Sequence, residues 1–290
     1  MSTTPYRITD GKGFRLADHG TRMDGDTEKD ELKRSTEEDR ARIAELQPKL
    51  YAEGERSLLI IFQAMDAAGK DSCIAHVLSG VNPQGCRVWS FKAPNSEELA
   101  HDFLWRHAKA VPARGMIGVH NRSHYEEVLV TKVHPSFIVG QRIPGIRSEK
   151  DITAAFWKER YASIRAFEEH LVRQGTCILK FYLHVGRDEQ RKRFLERIED
   201  PVKRWKFGPD DVKERARWDD YMRAYEEAIS ATASEQVPWY VVPADKQWET
   251  RAIVCRVVRE RMEQLDPRLP QPDKAEEQAM QEAAKSLAAE

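Results

Sequence analysis

The sequence predicts an α/β protein built on a doubly wound parallel sheet, and three observations predict it. Short apolar runs, "SLLIIF" at 57–62, "GMIGVH" at 115–120 and "CILKFYLHV" at 177–185, are continuous rather than alternating. That is the pattern of strands buried on both faces of a sheet. Charged segments of helical period separate these runs, as crossover connections between parallel strands require. Gly69-Lys70 follows the first run directly and opens a helical pattern, which places a loop rich in backbone N–H groups at a strand end.

Taken in order, residues 1–26 form a polar, Gly-containing segment without period, expected to wrap the surface or fray. Residues 27–52 carry Leu32, Ile43, Leu46 and Leu50 at helical spacing amid dense charge. This amphipathic helix either covers the core or mediates self-association. A single domain is expected over 27–265. After the first strand and the helix from Gly69 come strand "CRVWSF", helix "SEELAHDFLWRHAKA", strand "GMIGVH", helix "HYEEVLVTKV" and a long helix over about 148–173. Strand "CILKFYLHV", helices "DEQRKRFLERI" and "DDVKERARWDDYMRAYEEAIS", strand "WYVV" and a helix over about 247–265 complete it. Residues 266–290 are Pro-punctuated, then Ala/Glu/Lys-rich, and read as a mobile tail with helical tendency. There is no internal repeat.

Composition narrows the function. Of the 290 residues 40% are hydrophobic, enough for a core, and 33% are charged with a formal net charge of −1. A general nucleic-acid or membrane surface driven by net charge is therefore not favoured, and any anion site is a local patch. Cys73, Cys86, Cys177 and Cys255 have no C-x-x-C spacing, which argues against a disulfide or zinc framework and for a reduced, cytoplasmic setting. No run approaches the roughly 18 to 20 apolar residues of a membrane helix.

Three constellations carry chemistry. In the first, Ala64-Met65-Asp66-Ala67-Ala68-Gly69-Lys70-Asp71 is a phosphate loop that lacks two of the fixed positions of G-x-x-x-x-G-K-[ST]. Its backbone amides and Lys70 suit anionic phosphate. Asp66 then needs a cation, and a hard oxygen ligand suits Mg²⁺ bridged to phosphate. The plainer alternatives are a Gly-Lys helix start and an Asx-type turn at Asp66. The second constellation ends the "GMIGVH" strand: Asn121 and Arg122, with Glu126 and Glu127 one turn on. Arg122 suits bidentate phosphate recognition, or else a surface ion pair with one of the glutamates. His124 and Tyr125 read as packing residues. The third runs from Arg191 to Lys206, with seven basic and three acidic residues in a chain neutral overall. Pro201 interrupts it, so it has the form of a lid between helices; a plain solvated basic face is the alternative. Trp205 and Phe207, interleaved with Lys203, Arg204 and Lys206, also read as a platform for single-stranded nucleic acid.

Together the stretches "LYAEGERSLLIIFQAMDAAGKD", "HVLSGVNPQGCRVWSFKAPNSEELAHDFLWR", "NRSHYEEVLV", "RFLERIEDPVKRWKF" and "PWYVVPADKQW" resemble polyphosphate kinase family 2 from about Tyr6 to Leu265. The resemblance implies a P-loop kinase-like fold with a helical lid over about 187–217, and transfer of a phosphoryl group between inorganic polyphosphate and a nucleotide with Mg²⁺. It puts Asp66, Lys70 and Arg122 at the chemistry, with Asp66 on the metal. Ala67, Ala68, Gly69, Asp71, Lys92, Asn121, Glu126, Arg193, Arg197, Lys203 and Lys206 are then placed at the substrates. Arg193 and Arg197, at i and i+4, stand on one helix face, from which both are expected to reach the same anion chain. Asn121 followed by His124, Tyr125 and Glu126 resembles the subgroup, often called class III, that accepts AMP and ADP, with GMP and GDP as further acceptors to try. The subgroup usually shows Glu-Asp at 126–127, Gly at 72 and Ser at 208, where this chain has Glu126-Glu127, Ser72 and Gly208. A homodimer or homotetramer is implied. A kinase restricted to nucleoside diphosphates and an ATP-dependent small-molecule kinase on the same fold remain alternatives.

Overall fold

A computed structural model describes residues 1–25 and 28–290; residue 27, where the first amphipathic helix was expected to begin, and the expected boundary between 26 and 27 lie outside the described residues. In chain order the elements are β1 (Arg7–Ile8), α1 (Lys29–Glu53), β2 (Ser57–Ala64), α2 (Lys70–Val77), β3 (Cys86–Ser90), α3 (Ser96–Leu99), α4 (Trp105–Ala108) and β4 (Ile117–Asn121). They continue with α5 (Val130–Val133), α6 (Ser136–Gly140), α7 (Ala154–Arg173), β5 (Thr176–His184), α8 (Arg187–Glu199), α9 (Pro209–Ala216), α10 (Trp218–Thr232), β6 (Trp239–Pro243), α11 (Gln247–Leu265) and α12 (Lys274–Leu287).

The sheet order is β1-β6-β5-β2-β4-β3. Five strands run parallel, and β1 lies antiparallel on β6, Arg7 opposite Tyr240 and Ile8 opposite Trp239. The polar N-terminal segment therefore contributes a strand, where its sequence showed no period. Uninterrupted hydrophobicity produced what it predicts in the centre: from Ser57 to Gln63 every residue of β2 is buried. At the edge it did not. β3 is largely exposed, Val88 at 44%, and the Arg87 guanidinium lies 4.1 Å over the Trp89 ring. The chain crosses from β4, on one side of β2, to β5 on the other, a switch point that opens a crevice at the carboxyl ends of β2 and β4.

Leu32, Ile43, Leu46 and Leu50 of α1 are buried, and α1 packs on α11, where Asp39 bridges Arg256 at 2.8 Å and Arg259 at 2.6 Å. The apolar face of α1 thus covers the core of its own chain. Three expected helices are interrupted. Residues 96–110 split into α3 and α4, 124–133 form a 3-10 turn (His124–Val128) before α5, and 210–230 break at Arg217 between α9 and α10. The long helix begins at Ala154, where Thr153 Oγ1 accepts from Phe156 N, and not at Ser148. The four cysteines are free thiols. Every residue of α12 is exposed, and among the described residues no helix is long and apolar enough to cross a membrane.

Beneath β4's carboxyl end lies a buried polar network. Lys180 Nζ, wholly buried inside β5, donates to Glu168 Oε2 and Tyr125 Oη, both at 2.8 Å, and to the Thr232 carbonyl at 2.9 Å. Tyr125 Oη donates to Glu168 Oε1 at 2.8 Å, and His124 Nε2 lies 3.3 Å from the same oxygen. Full pairing is what lets this charge sit in the core. It also fixes the turn that follows Arg122.

Candidate active site

The loop after β2 bends back on itself through two left-handed residues, Ala67 at φ 62° and Gly69 at φ 97°. Glycine adopts this freely; alanine there costs on the order of 1–3 kcal/mol unless neighbours hold it. The neighbours come from α8. Arg193 Nη1 donates to the Ala67 carbonyl at 3.0 Å, while its Nη2 donates to the carbonyls of Ala244 at 2.8 Å and Asp245 at 2.9 Å. Its Nε donates to Glu189 at 2.9 Å, and Gln190 Nε2 reaches the Asp66 carbonyl at 2.9 Å. The loop carbonyls are thereby drawn toward α8.

On the next strand, Arg122 also takes a left-handed backbone, φ 62°, with its N–H on the Phe62 carbonyl at 3.1 Å. Its guanidinium donates to Asp66 Oδ1 at 3.1 Å. The ion pair foreseen with Glu126 or Glu127 is thus replaced by one with Asp66, and Glu127 instead sits buried 3.6 Å from both Arg106 and Arg160. Asn121 Nδ2 donates to Asp71 Oδ1 at 2.7 Å, which ties β4 to the first turn of α2.

Burial lowers the pKa of Lys70, the nearby Arg122 adds to this, and Asp66, Glu126 and Asp71 oppose it. Burial likewise raises that of Glu126, against the pull of Arg122 and Lys70. For Arg122 burial works against the charge, yet Glu126 and Asp66 outweigh it and the pKa is raised. These charges hold one another in place at the strand ends.

Above them opens a cleft of about 640 Å³, lined by seven basic and four acidic side chains. Asp66, Ala67, Ala68, Gly69, Lys70, Asp71, Lys92, Asn121, Arg122, Arg193, Arg197, Lys203 and Lys206 all line it; Glu126 stands off its wall, within electrostatic reach of Lys70 and Arg122. One expectation needs correction. Arg193 and Arg197 share a helix, but four of the five Arg193 donors are committed to backbone carbonyls and Glu189. Arg193 braces the loop, and Arg197, 3.9 Å from Asp211, is left with the freer guanidinium. Residues missed from sequence are Gln190, three positions before Arg193 on the same helix face, and Asp211, whose pKa burial raises with Asp66 adding to the effect.

Among the described residues no cluster of three or more His, Cys, Asp or Glu could hold a metal unaided. A hard cation fits this site in another way, held by the Asp66 carboxylate and completed by phosphate oxygens and water, since Mg²⁺ commonly takes only one or two carboxylates from the protein.

Polyphosphate kinase 2 is the family whose sequence pattern matches residues 26–270. The ADP-polyphosphate phosphotransferase of Rhodopseudomonas palustris is 49% identical over 93% of each chain. The AMP/ADP-polyphosphate phosphotransferase of Meiothermus ruber is 46% identical over 81% of this chain and 83% of its own. The crystal structure of polyphosphate kinase 2 from Arthrobacter aurescens TC1 superposes with a TM-score of 0.86 at 42% identity, covering 97% of this chain and 96% of that one.

Proposed function

The chain belongs to the polyphosphate kinase 2 family, and we propose that it moves the terminal phosphoryl group of inorganic polyphosphate reversibly to AMP and ADP, forming ADP and ATP. The observation that carries this is Asp66 and Arg122, 3.1 Å apart beside Lys70, beneath a basic lid. A pure polyanion binder gains nothing from a carboxylate in that loop. A nucleotide phosphate oxygen attacks the terminal phosphorus of polyphosphate, the bond to the bridging oxygen breaks, and the shortened chain leaves with that electron pair.

Phosphoryl transfer needs alignment and charge neutralisation more than covalent help. Lys70, the loop amides and Arg122 gather the charge of the transferred group, while Arg197, Lys203 and Lys206 hold the phosphate chain from above. Asp66 would hold Mg²⁺, which would neutralise phosphate charge. No general base is required, because the nucleotide phosphate is already anionic at neutral pH. The acceptor range follows the Asn121, His124, Tyr125, Glu126 pattern. The homodimer or homotetramer implied by the family resemblance is checked by light scattering; free thiols fit the cytoplasm.

The test is product analysis over time with polyphosphate and Mg²⁺ and, separately, AMP, ADP, GMP or GDP. Expected are ATP from ADP, and ADP then ATP from AMP. Consumption of ADP with AMP untouched leaves a kinase restricted to diphosphates. Product only when ATP is the donor makes the chain an ordinary small-molecule kinase.

A further inference from the structure

Two aromatic side chains line the cleft, Phe91 and Trp205. The Phe91 ring is occupied: its centroid lies 4.3 Å from His107 and 5.0 Å from His120, and the Arg106 guanidinium is 5.6 Å away. Phe207, the other aromatic of the lid turn, packs on Phe194 with centroids 6.1 Å apart. Trp205 differs from both. It sits on the 3-10 turn Arg204–Lys206 between α8 and α9, 79% exposed, and its recorded ring contact is the Lys206 ammonium at 5.1 Å.

A large apolar ring held in water above an anion cleft calls for a partner with a flat apolar face. Inorganic polyphosphate has no such face. The acceptor nucleotide has one, its base, joined to phosphates that suit the cations deeper in the same cleft. We propose that Trp205 is the platform on which the acceptor's nucleobase stacks, an assignment that rests on the nucleotide-phosphorylating reading above. Stacking reads the π-face and not the hydrogen-bonding edge, so it accepts adenine and guanine alike and holds the smaller pyrimidines less firmly. It also delivers the acceptor from the lid, which brings the base in above and its phosphate down toward Lys70.

The experiment compares wild type, Trp205→Ala and Trp205→Phe, with ADP and with the baseless acceptor ribose 5-diphosphate, at saturating polyphosphate. Because the side chain is exposed, the variants keep the fold. Trp205→Ala is expected to raise KM for ADP roughly 5- to 150-fold, the range of alanine losses for one stacked base. KM for polyphosphate and for ribose 5-diphosphate stays unchanged, and Trp205→Phe restores most of the ADP affinity. Equal KM for ADP in wild type and Trp205→Ala overturns the assignment. So does an equal rise for ADP and the baseless acceptor, which would mean that Trp205 serves lid closure. Quenching of tryptophan fluorescence by a single-stranded oligonucleotide that is lost in Trp205→Phe and undiminished by saturating ADP also overturns it in favour of a nucleic-acid platform. Wild type that forms no ATP from polyphosphate and ADP fails at the earlier step, overturning the proposed reaction and this assignment with it.

Discussion

At the floor of the cleft, where β2 and β4 end, side chains have neighbours already chosen, whereas in its roof, from Arg197 to Asp211, most side chains face water. Below, Arg122 is paired with Asp66, Asn121 with Asp71, and the turn after Arg122 rests on the buried Lys180–Glu168 pair. Above, Val202 is 78% exposed, Trp205 79%, and Lys203 meets Asp200 as an exposed ion pair at 3.0 Å. A preorganised floor costs no rearrangement when charge develops on the transferred group. A loose roof can settle on a substrate once it is bound. The difference separates chemistry from capture within a single cleft.

The largest test of that division lies in the floor's foundation. Glu168→Ala strips Lys180 of its carboxylate in a dry core and is expected to cost about 3–5 kcal/mol of stability, read by urea unfolding; an unchanged midpoint would mean the network supports nothing. Next comes Lys70→Ala, expected to lower turnover about 100- to 1000-fold, the usual loss of one preorganised charge donor, with the melting temperature kept. Retention of a tenth of wild-type turnover would remove Lys70 from the principal phosphate ligands. The two arginines of α8 then sharpen the boundary. Arg193→Ala leaves three backbone carbonyls short of a donor, about 1–3 kcal/mol, so melting temperature and kcat fall together, and Arg193→Lys does not restore them, since an ammonium lacks the planar fork whose Nη1 and Nη2 reach Ala67 on one side and Ala244 and Asp245 on the other. Arg197→Ala is expected to raise KM for polyphosphate a few-fold, about 0–1 kcal/mol for a partly exposed charge, with a shallower salt dependence and no change in melting temperature. Identical behaviour of the two variants would erase the distinction between floor and roof.

Acid probes the floor without any substitution. Burial is the leading cause that holds His120, on β4, and His184, at the end of β5, at pKa values of about 4, against about 6.5 in an unfolded chain. Between those values the unfolded state binds more protons, so stability is complete above about pH 6.5 and declines as pH falls toward 4. Melting temperature measured from pH 7 to 4.5 should fall, and His120→Gln should flatten the slope. Neither histidine lines the cleft, so polyphosphate affinity at fixed Mg²⁺ should hold while the floor weakens.

Much of this was legible in residue types. Continuous apolar runs gave the central strands, Gly69-Lys70 after β2 gave the loop, and the surplus of basic residues around Pro201 gave the roof. What escaped was pairing between distant segments. A two-residue strand such as β1 is too short to carry a period, and its only signal is its neighbour β6. Lys180 was hidden in "CILKFYLHV" because a run of apolar letters does not say that its one charge will find Glu168. Arg193 was read by its charge, yet its partners are carbonyls of Ala67, Ala244 and Asp245, groups that every residue has and no sequence advertises.

That clasp also sets where the enzyme can bend. With Gln190 and Arg193 fastened to the loop, the first half of α8 cannot swing without dragging the phosphate site apart, so the hinge falls beyond them, where Pro201 follows the end of the helix. The floor is thereby fastened to the part of α8 nearest it, and it keeps its geometry whatever the residues beyond Pro201 do.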